Sequence, residues 1–153
     1  MRSRTLAAVR PRLPHLLAAA VVLDGTGRHV LLARDPSRPR WTLVSGHVEG
    51  GEQLAEAARR QVVEHAGLSR FRVREPHLAL QQDLVDCGGA GDGQVRHVEH
   101  VFLAVTDPSE PVHDGPHDRE GSTAWFGVRD LPADIAPGVA LHVSAAVRQL
   151  EEG

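Results

Sequence analysis

The chain has 153 residues, 41% of them hydrophobic and 24% charged, with a formal charge of -3. That length suits one domain built around a single core and argues against a second, while the near-balanced charge excludes the strong basic bias of a nucleic-acid or acidic-membrane binder. One cysteine excludes an internal disulfide and fits a reducing cytoplasm.

In chain order, residues 1–14 carry arginine and two prolines without periodicity and read as a poorly ordered lead-in. Together with "LLAAAVVL" they imitate a secretory leader, but the apolar run is far shorter than the roughly 20 residues that span a bilayer. It also ends in the turn signal Asp24-Gly25-Thr26-Gly27 and is followed by "HVLLAR". A β-hairpin, with strands near 15–24 and 29–35, explains both apolar runs.

After the loop "DPSRPR", the stretch "WTLVSGHV" forms a third, short extended segment. From Glu52 to about Ala66 alternation gives way to helical spacing, and Gly67 sits where a left-handed cap belongs. A strand near 72–84, the loop "DCGGAGDG" and the Val-rich strand "VRHVEHVFLAV" follow. "DPSEPVHDGPHDREGS" has the composition of a mobile surface loop, "TAWFGV" of a strand, and "GVALHVSAAVRQLEE" of a closing helix. Residues 15–153 thus read as one α+β domain, or an α/β/α sandwich, without internal repeats.

The helix after Glu52 carries the chemistry. Residues at i, i+3 and i+4 share a helical face, and Gln61, Glu64 and His65 have that spacing. They border an apolar stripe of Leu54, Ala55, Ala58, Val62 and Ala66. Upstream, Gly46, Gly50 and Gly51 permit close backbone approach, which can bring carbonyl oxygens toward a cation held by the helix.

The segment "GHVEGGEQLAEAARRQVVEHAGL" resembles the Nudix box, G-x5-E-x7-R-E-U-x-E-E-x-G-U with U aliphatic. Gly46, Glu52, Arg60, Val62, Glu64, Gly67 and Leu68 match at the family's spacing, and Gln61 and His65 depart from it. "RWTLVSGHVEGGE" and "TAWFGVRDLP" also look like the family's lead-in strand and late turn. The resemblance implies a Nudix α/β/α sandwich with a mixed β-sheet, and Mg²⁺- or Mn²⁺-dependent hydrolysis of a small nucleoside-diphosphate-linked substrate. A homodimer is compatible with it; a membrane or a specific nucleic-acid partner is not implied. Carried over by position, Glu64 is a metal ligand, Ser45 offers a backbone carbonyl, Gln61 and His65 are the altered members of the metal set, and Glu52 pairs with Arg60 to brace loop against helix.

Where the family pattern has three carboxylates on one helical face, Gln61, Glu64 and a neutral His65 supply one. Mg²⁺ prefers hard oxygen ligands, and imidazole nitrogen suits Zn²⁺, Ni²⁺ or Co²⁺ better. Three outcomes stay open: hydrolysis helped by the substrate's phosphates and an outside carboxylate, a change of metal, or loss of chemistry with retention of ligand binding as a sensor. Glu99, with His97 on the same face of its strand, is the outside candidate, or else part of a polar outward face. Glu49 is a second, or else an exposed loop acid; Glu56 reads as a surface ion-pair member.

His47 and Arg40 are the candidates for gripping substrate phosphate, with Arg34 and Arg38 beside Arg40 in an otherwise solvated loop. Trp41 and Trp125 fit the core better than a base-stacking platform. His113 and His117, four apart in a Pro-Gly loop with no CxxC, do not suggest structural zinc.

Overall fold

A computed structural model describes residues 13–34, 39–86 and 94–153. Most of the expected lead-in at 1–14, Arg38 and the loop that begins at Cys87 lie outside the described residues. Strands β1 (His15–Leu23), β2 (His29–Ala33) and β3 (Val44–His47) precede helix α1 (Leu54–Ala66). Strands β4 (Phe71–Asp86), β5 (Gln94–Thr106), β6 (Gly115–Pro116) and β7 (Thr123–Gly127) follow, then helix α2 (Val139–Glu152).

The seven strands form one mixed sheet in the order β4-β5-β1-β2-β7-β6, with β3 also paired to β1. Among the seven described strands β1 and β5 are the pair that runs parallel, with His15 opposite His97 and Leu17 opposite Glu99. β2 pairs with the last residues of β1 and β3 with its first half, Leu17 opposite His47 and Ala19 opposite Ser45. β2 and β3 thus share one flank of β1, which brings the end of β3 beside the start of β1.

Helices cover both faces, so β1 reads as a continuous apolar run instead of alternating. Ala18 through Leu23 are fully buried. On one face, Ala57 and Ala58 of α1 pack on Ala18 and Phe102, and Val62 and Ala66 on Ala20, Val22 and Ala104. On the other, Val139, Val143 and Ala146 of α2 pack on Ala19, Val21, Leu23, Val101 and Leu103. The alanines of β1 leave α1 room for close approach to the sheet. The expected α/β/α sandwich and all of its main elements are present, and Trp41 and Trp125 are buried in the core as expected.

Two expectations need correction. The segment 107–122 is not a loose surface loop: it contributes β6 to the sheet edge, and His117 lies between Trp125, whose Nε1 donates to its Nδ1 at 3.2 Å, and the Ala66 carbonyl, 2.7 Å from its Nε2. The Asp118 carboxylate further accepts bonds from the Ser122 hydroxyl and the Thr123 amide. Glu56 is not an ion-pair partner of Arg60; its carboxylate accepts the Gln53 backbone N–H at 3.1 Å and closes the start of α1. No helix among the described residues is long and apolar enough to cross a membrane.

Candidate active site

Helix α1 ends at Gly67, whose φ of 65° places it in the left-handed region that stops a helix. Two turns earlier, Arg60 projects beneath the glycine-rich loop. Its Nε donates to Glu52 Oε2 at 2.7 Å and its Nη2 to Glu52 Oε1 at 3.0 Å, a bidentate pair. The same Nη2 reaches the His47 carbonyl at 2.9 Å. Nη1 lies 3.2 Å from Glu64 Oε2 and 3.4 Å from Glu49 Oε1.

Three carboxylates therefore converge on one guanidinium, two of them on the same nitrogen. Glu52 additionally accepts the Glu49 N–H at 3.0 Å. The Arg60 pairing, with that N–H, holds the Glu52 carboxyl below its ordinary range, and the acids in turn raise Arg60 above its own. Glu52 is the most enclosed of the three acids, whereas the side chains of Glu64 and Glu49 are 55% and 67% exposed. Glu52 and Arg60 thus brace loop to helix, and Glu64 and Glu49 present free carboxylate edges to solvent.

Gln61 behaves differently from its acidic neighbours. It is buried, at 4% exposure, and its Nε2 donates to the His47 carbonyl at 3.4 Å. A β-carbon at position 46 would stand 2.2 Å from that nitrogen, so a side chain there would push the Gln61 amide out of its place under the loop. A carboxylate in this place would face a carbonyl oxygen and need a cation between them; the amide closes the gap with its own N–H. His65 is exposed on α1.

Glu99 lies on the sheet face that carries α2, away from α1. Its carboxylate accepts the Ser45 hydroxyl and, at 2.6 Å, the Gln81 amide, and Gln81 in turn contacts His142 of α2 at 2.9 Å. Among the described residues its hydrogen bonds thus run to β3, β4 and, through Gln81, α2 rather than toward Glu64. Glu49, the second outside candidate or else an exposed loop acid, is the carboxylate brought beside Glu64, both on Arg60 Nη1. Its signal was its place three residues before Glu52.

Arg40 is exposed, while neighbouring Arg34 is committed to the fold, its guanidinium 4.5 Å from the Trp41 ring centre and its Nε donating to the Gly121 carbonyl. The His47 ring sits 5.4 Å from that of His15 and 5.2 Å from that of His97. Burial holds the His97 imidazole below its ordinary value, aided by His47 and His15 and opposed by Glu99 and Asp83. His15 was not singled out by sequence; as one polar residue opening an apolar strand it carries no distinctive pattern.

The donors that remain in the box fit a hard divalent cation in reduced form. Glu64 and Glu49 offer anionic oxygens at the loop mouth, while Gln61 spends its amide on the His47 carbonyl.

The NUDIX domain family model matches residues 13–147. A curated Caenorhabditis elegans protein named as nudix hydrolase 1 is 31% identical over 125 residues, 77% of this chain; the chain spans only 30% of that relative's length. Among solved structures, a NUDIX-family hydrolase from Clostridium perfringens superposes with a TM-score of 0.67 at 18% identity, covering 91% of this chain and 99% of that one. A C. elegans Ap4A hydrolase in a binary complex superposes with a TM-score of 0.63 at 19% identity, covering 91% and 99%. At these identities the structural likeness speaks for the fold.

Proposed function

The chain belongs to the NUDIX domain family, and on that premise we propose that it hydrolyses a phosphoanhydride bond in a small nucleoside-diphosphate-linked substrate with a divalent cation, Mg²⁺ or Mn²⁺. The observation that carries this reading is the convergence of Glu49, Glu52 and Glu64 on Arg60, with Glu49 and Glu64 sharing one guanidinium nitrogen at the mouth of the glycine loop.

Glu64 and Glu49 would hold the cation, with the Ser45 carbonyl and exposed His65 as further donors. A bound divalent ion offsets phosphoryl charge and acidifies water. The chain's own residues do the positioning. Arg60 fixes the His47 carbonyl and Glu52 together and so sets the loop over α1, leaving the outer edges of Glu64 and Glu49 unburied for ligand. Exposed Arg40, just before the Trp41 strand segment, is the basic group we assign to gripping phosphate. Glu99, tied to Ser45, steadies β3 rather than entering the reaction. The reading takes residues 15–153 as one domain acting in the cytoplasm.

The test is chromatographic detection of the phosphorylated fragments (nucleoside phosphates, sugar phosphate or pyrophosphate) formed with Mg²⁺ or Mn²⁺ from a panel of dinucleoside polyphosphates, nucleotide sugars and nucleoside triphosphates. Glu64→Gln is expected to lower turnover about 100-fold or more, the scale for losing one group that stabilises transition-state charge. Saturable ligand binding with turnover no higher than in Glu64→Gln would replace this reading with a non-hydrolytic sensor. That second reading draws on one observation, the Gln61 amide occupying the place where a metal-binding carboxylate would otherwise face the His47 carbonyl.

A further inference from the structure

Outside the acid cluster, three strands bring three histidines to one point. His15 opens β1, His47 ends β3 and His97 lies near the start of β5. The parallel pairing sets His15 directly opposite His97, and the antiparallel pairing of β3 with β1 sets His47 opposite Leu17, two residues along the same face. One ring nitrogen from each histidine lies within 4.8 Å of the other two.

We propose that His15, His47 and His97 form a binding site for a borderline transition-metal ion of the Zn²⁺ class, separate from the carboxylates around Arg60 and independent of the hydrolytic reading.

The donor chemistry selects the metal. Three imidazoles without a carboxylate in the set suit Zn²⁺, Co²⁺, Ni²⁺ or Cu²⁺ and poorly suit Mg²⁺. The distances require a modest closure, because Zn–N bonds of about 2.0–2.1 Å put tetrahedral nitrogens roughly 3.4 Å apart. His47, in ring contact with both His15 and His97, is the exposed member of the three.

A second observation points the same way. His15 Nδ1 and His97 Nε2 are buried without a hydrogen-bond partner among the described residues, a state that native proteins rarely leave unmet. Asp83 faces His97 across the β4–β5 pairing, where a carboxylate can orient a ligating imidazole from behind. Three protein ligands leave a fourth position for water or another small donor on the exposed His47 side. The His47 carbonyl is held by Arg60 and Gln61, so the ion would be attached directly to the loop over α1.

The full chain, stripped with chelator, would be titrated with Zn²⁺ by calorimetry and with Co²⁺ by visible absorption. The expected result is one tightly bound ion per chain that gives the intense bands of tetrahedral Co²⁺, distinct from any weaker binding at the exposed carboxylates. His97→Gln and His47→Gln should each weaken binding at this site at least tenfold and remove the tetrahedral bands, and His113→Gln, exposed and outside the cluster, should leave both unchanged. His47 is exposed, so its variant keeps the fold, checked by cooperative thermal unfolding. Failure of the wild-type chain to bind Zn²⁺, tetrahedral Co²⁺ bands of equal strength in the His47 and His97 variants, or loss of those bands in His113→Gln would each overturn the site.

Discussion

The side chain of Gln61 shows how one atom changes what a buried position demands. Its Nε2 donates to the His47 carbonyl while Gly46 passes within a distance that no β-carbon tolerates. Replacing that N–H by a carboxylate oxygen sets two acceptors against each other in a buried place, which is costly unless a cation enters. Gln61→Glu is therefore expected to destabilise the metal-free chain by about 1–3 kcal/mol and to raise its Mg²⁺ affinity about 10- to 100-fold, the range seen when metal-site partners change. Denaturant unfolding without metal and Mg²⁺ calorimetry check the two halves; a variant as stable as the wild type, with no gain in Mg²⁺ binding, would show that Gln61 does not stand in for a cation. The box itself was legible in the sequence because its residues are local and helical spacing fixes their face. What Gln61 does was not, since its partner lies 14 residues away across a loop whose path periodicity does not describe.

At the scale of elements, the β1–β2 hairpin was legible for a local reason. Asp24 sits in the turn signal, and its carboxylate accepts the backbone N–H groups of Thr26, Arg28 and His29 at 2.8–3.2 Å, together with the Thr26 hydroxyl. Burial pushes this carboxyl up, but the hydrogen bonds from Thr26 and His29 outweigh it and hold it below its ordinary 3.8. A carboxyl with a lowered native pKa contributes stability that is complete above the unfolded value and is lost as pH falls through the native one. Asp24→Ala should cost about 1–3 kcal/mol at pH 7, and the gap between wild type and variant should narrow only below about pH 3.8. Urea midpoints across pH 2–7 measure it, and a gap that does not narrow in acid would remove the carboxylate from the account. By contrast, the strand β6 and the bridge from Trp125 through His117 to Ala66 were not legible: two residues of Gly-Pro carry no strand pattern, and a histidine tying helix to sheet looks like any loop histidine.

Across the whole molecule, β1 organises both the core and the candidate sites, and its neighbours follow from register rather than from composition. An unbroken apolar run says that both faces are covered, but not that β5 pairs parallel on one flank while β2 and β3 share the other. That pairing is what assembles His15, His47 and His97 from positions spread over much of the chain, so no sequence window contained the cluster. The same topology divides the sheet by stability. Ala18–Leu23 have strands on both flanks and helices on both faces, whereas beyond the His15–His97 pair, residues 94–96 and 84–86 pair, among the described residues, only with each other. Leu84 there is 64% exposed, although Val95 is buried, and a two-stranded ribbon is marginal by itself. Native-state hydrogen exchange should accordingly protect the amides of residues 18–23 to near the global unfolding free energy, with the ribbon amides exchanging at least about 100-fold faster. Adding Zn²⁺ should slow the paired amides around His97 selectively if an ion joins β1 to β5 at its base, since a ligand stabilises most the openings that break its site. Protection as high at 84–86 as at 18–23 would mean that the ribbon is held by contacts other than its own pairing, and that the stability of the sheet is not graded outward from β1.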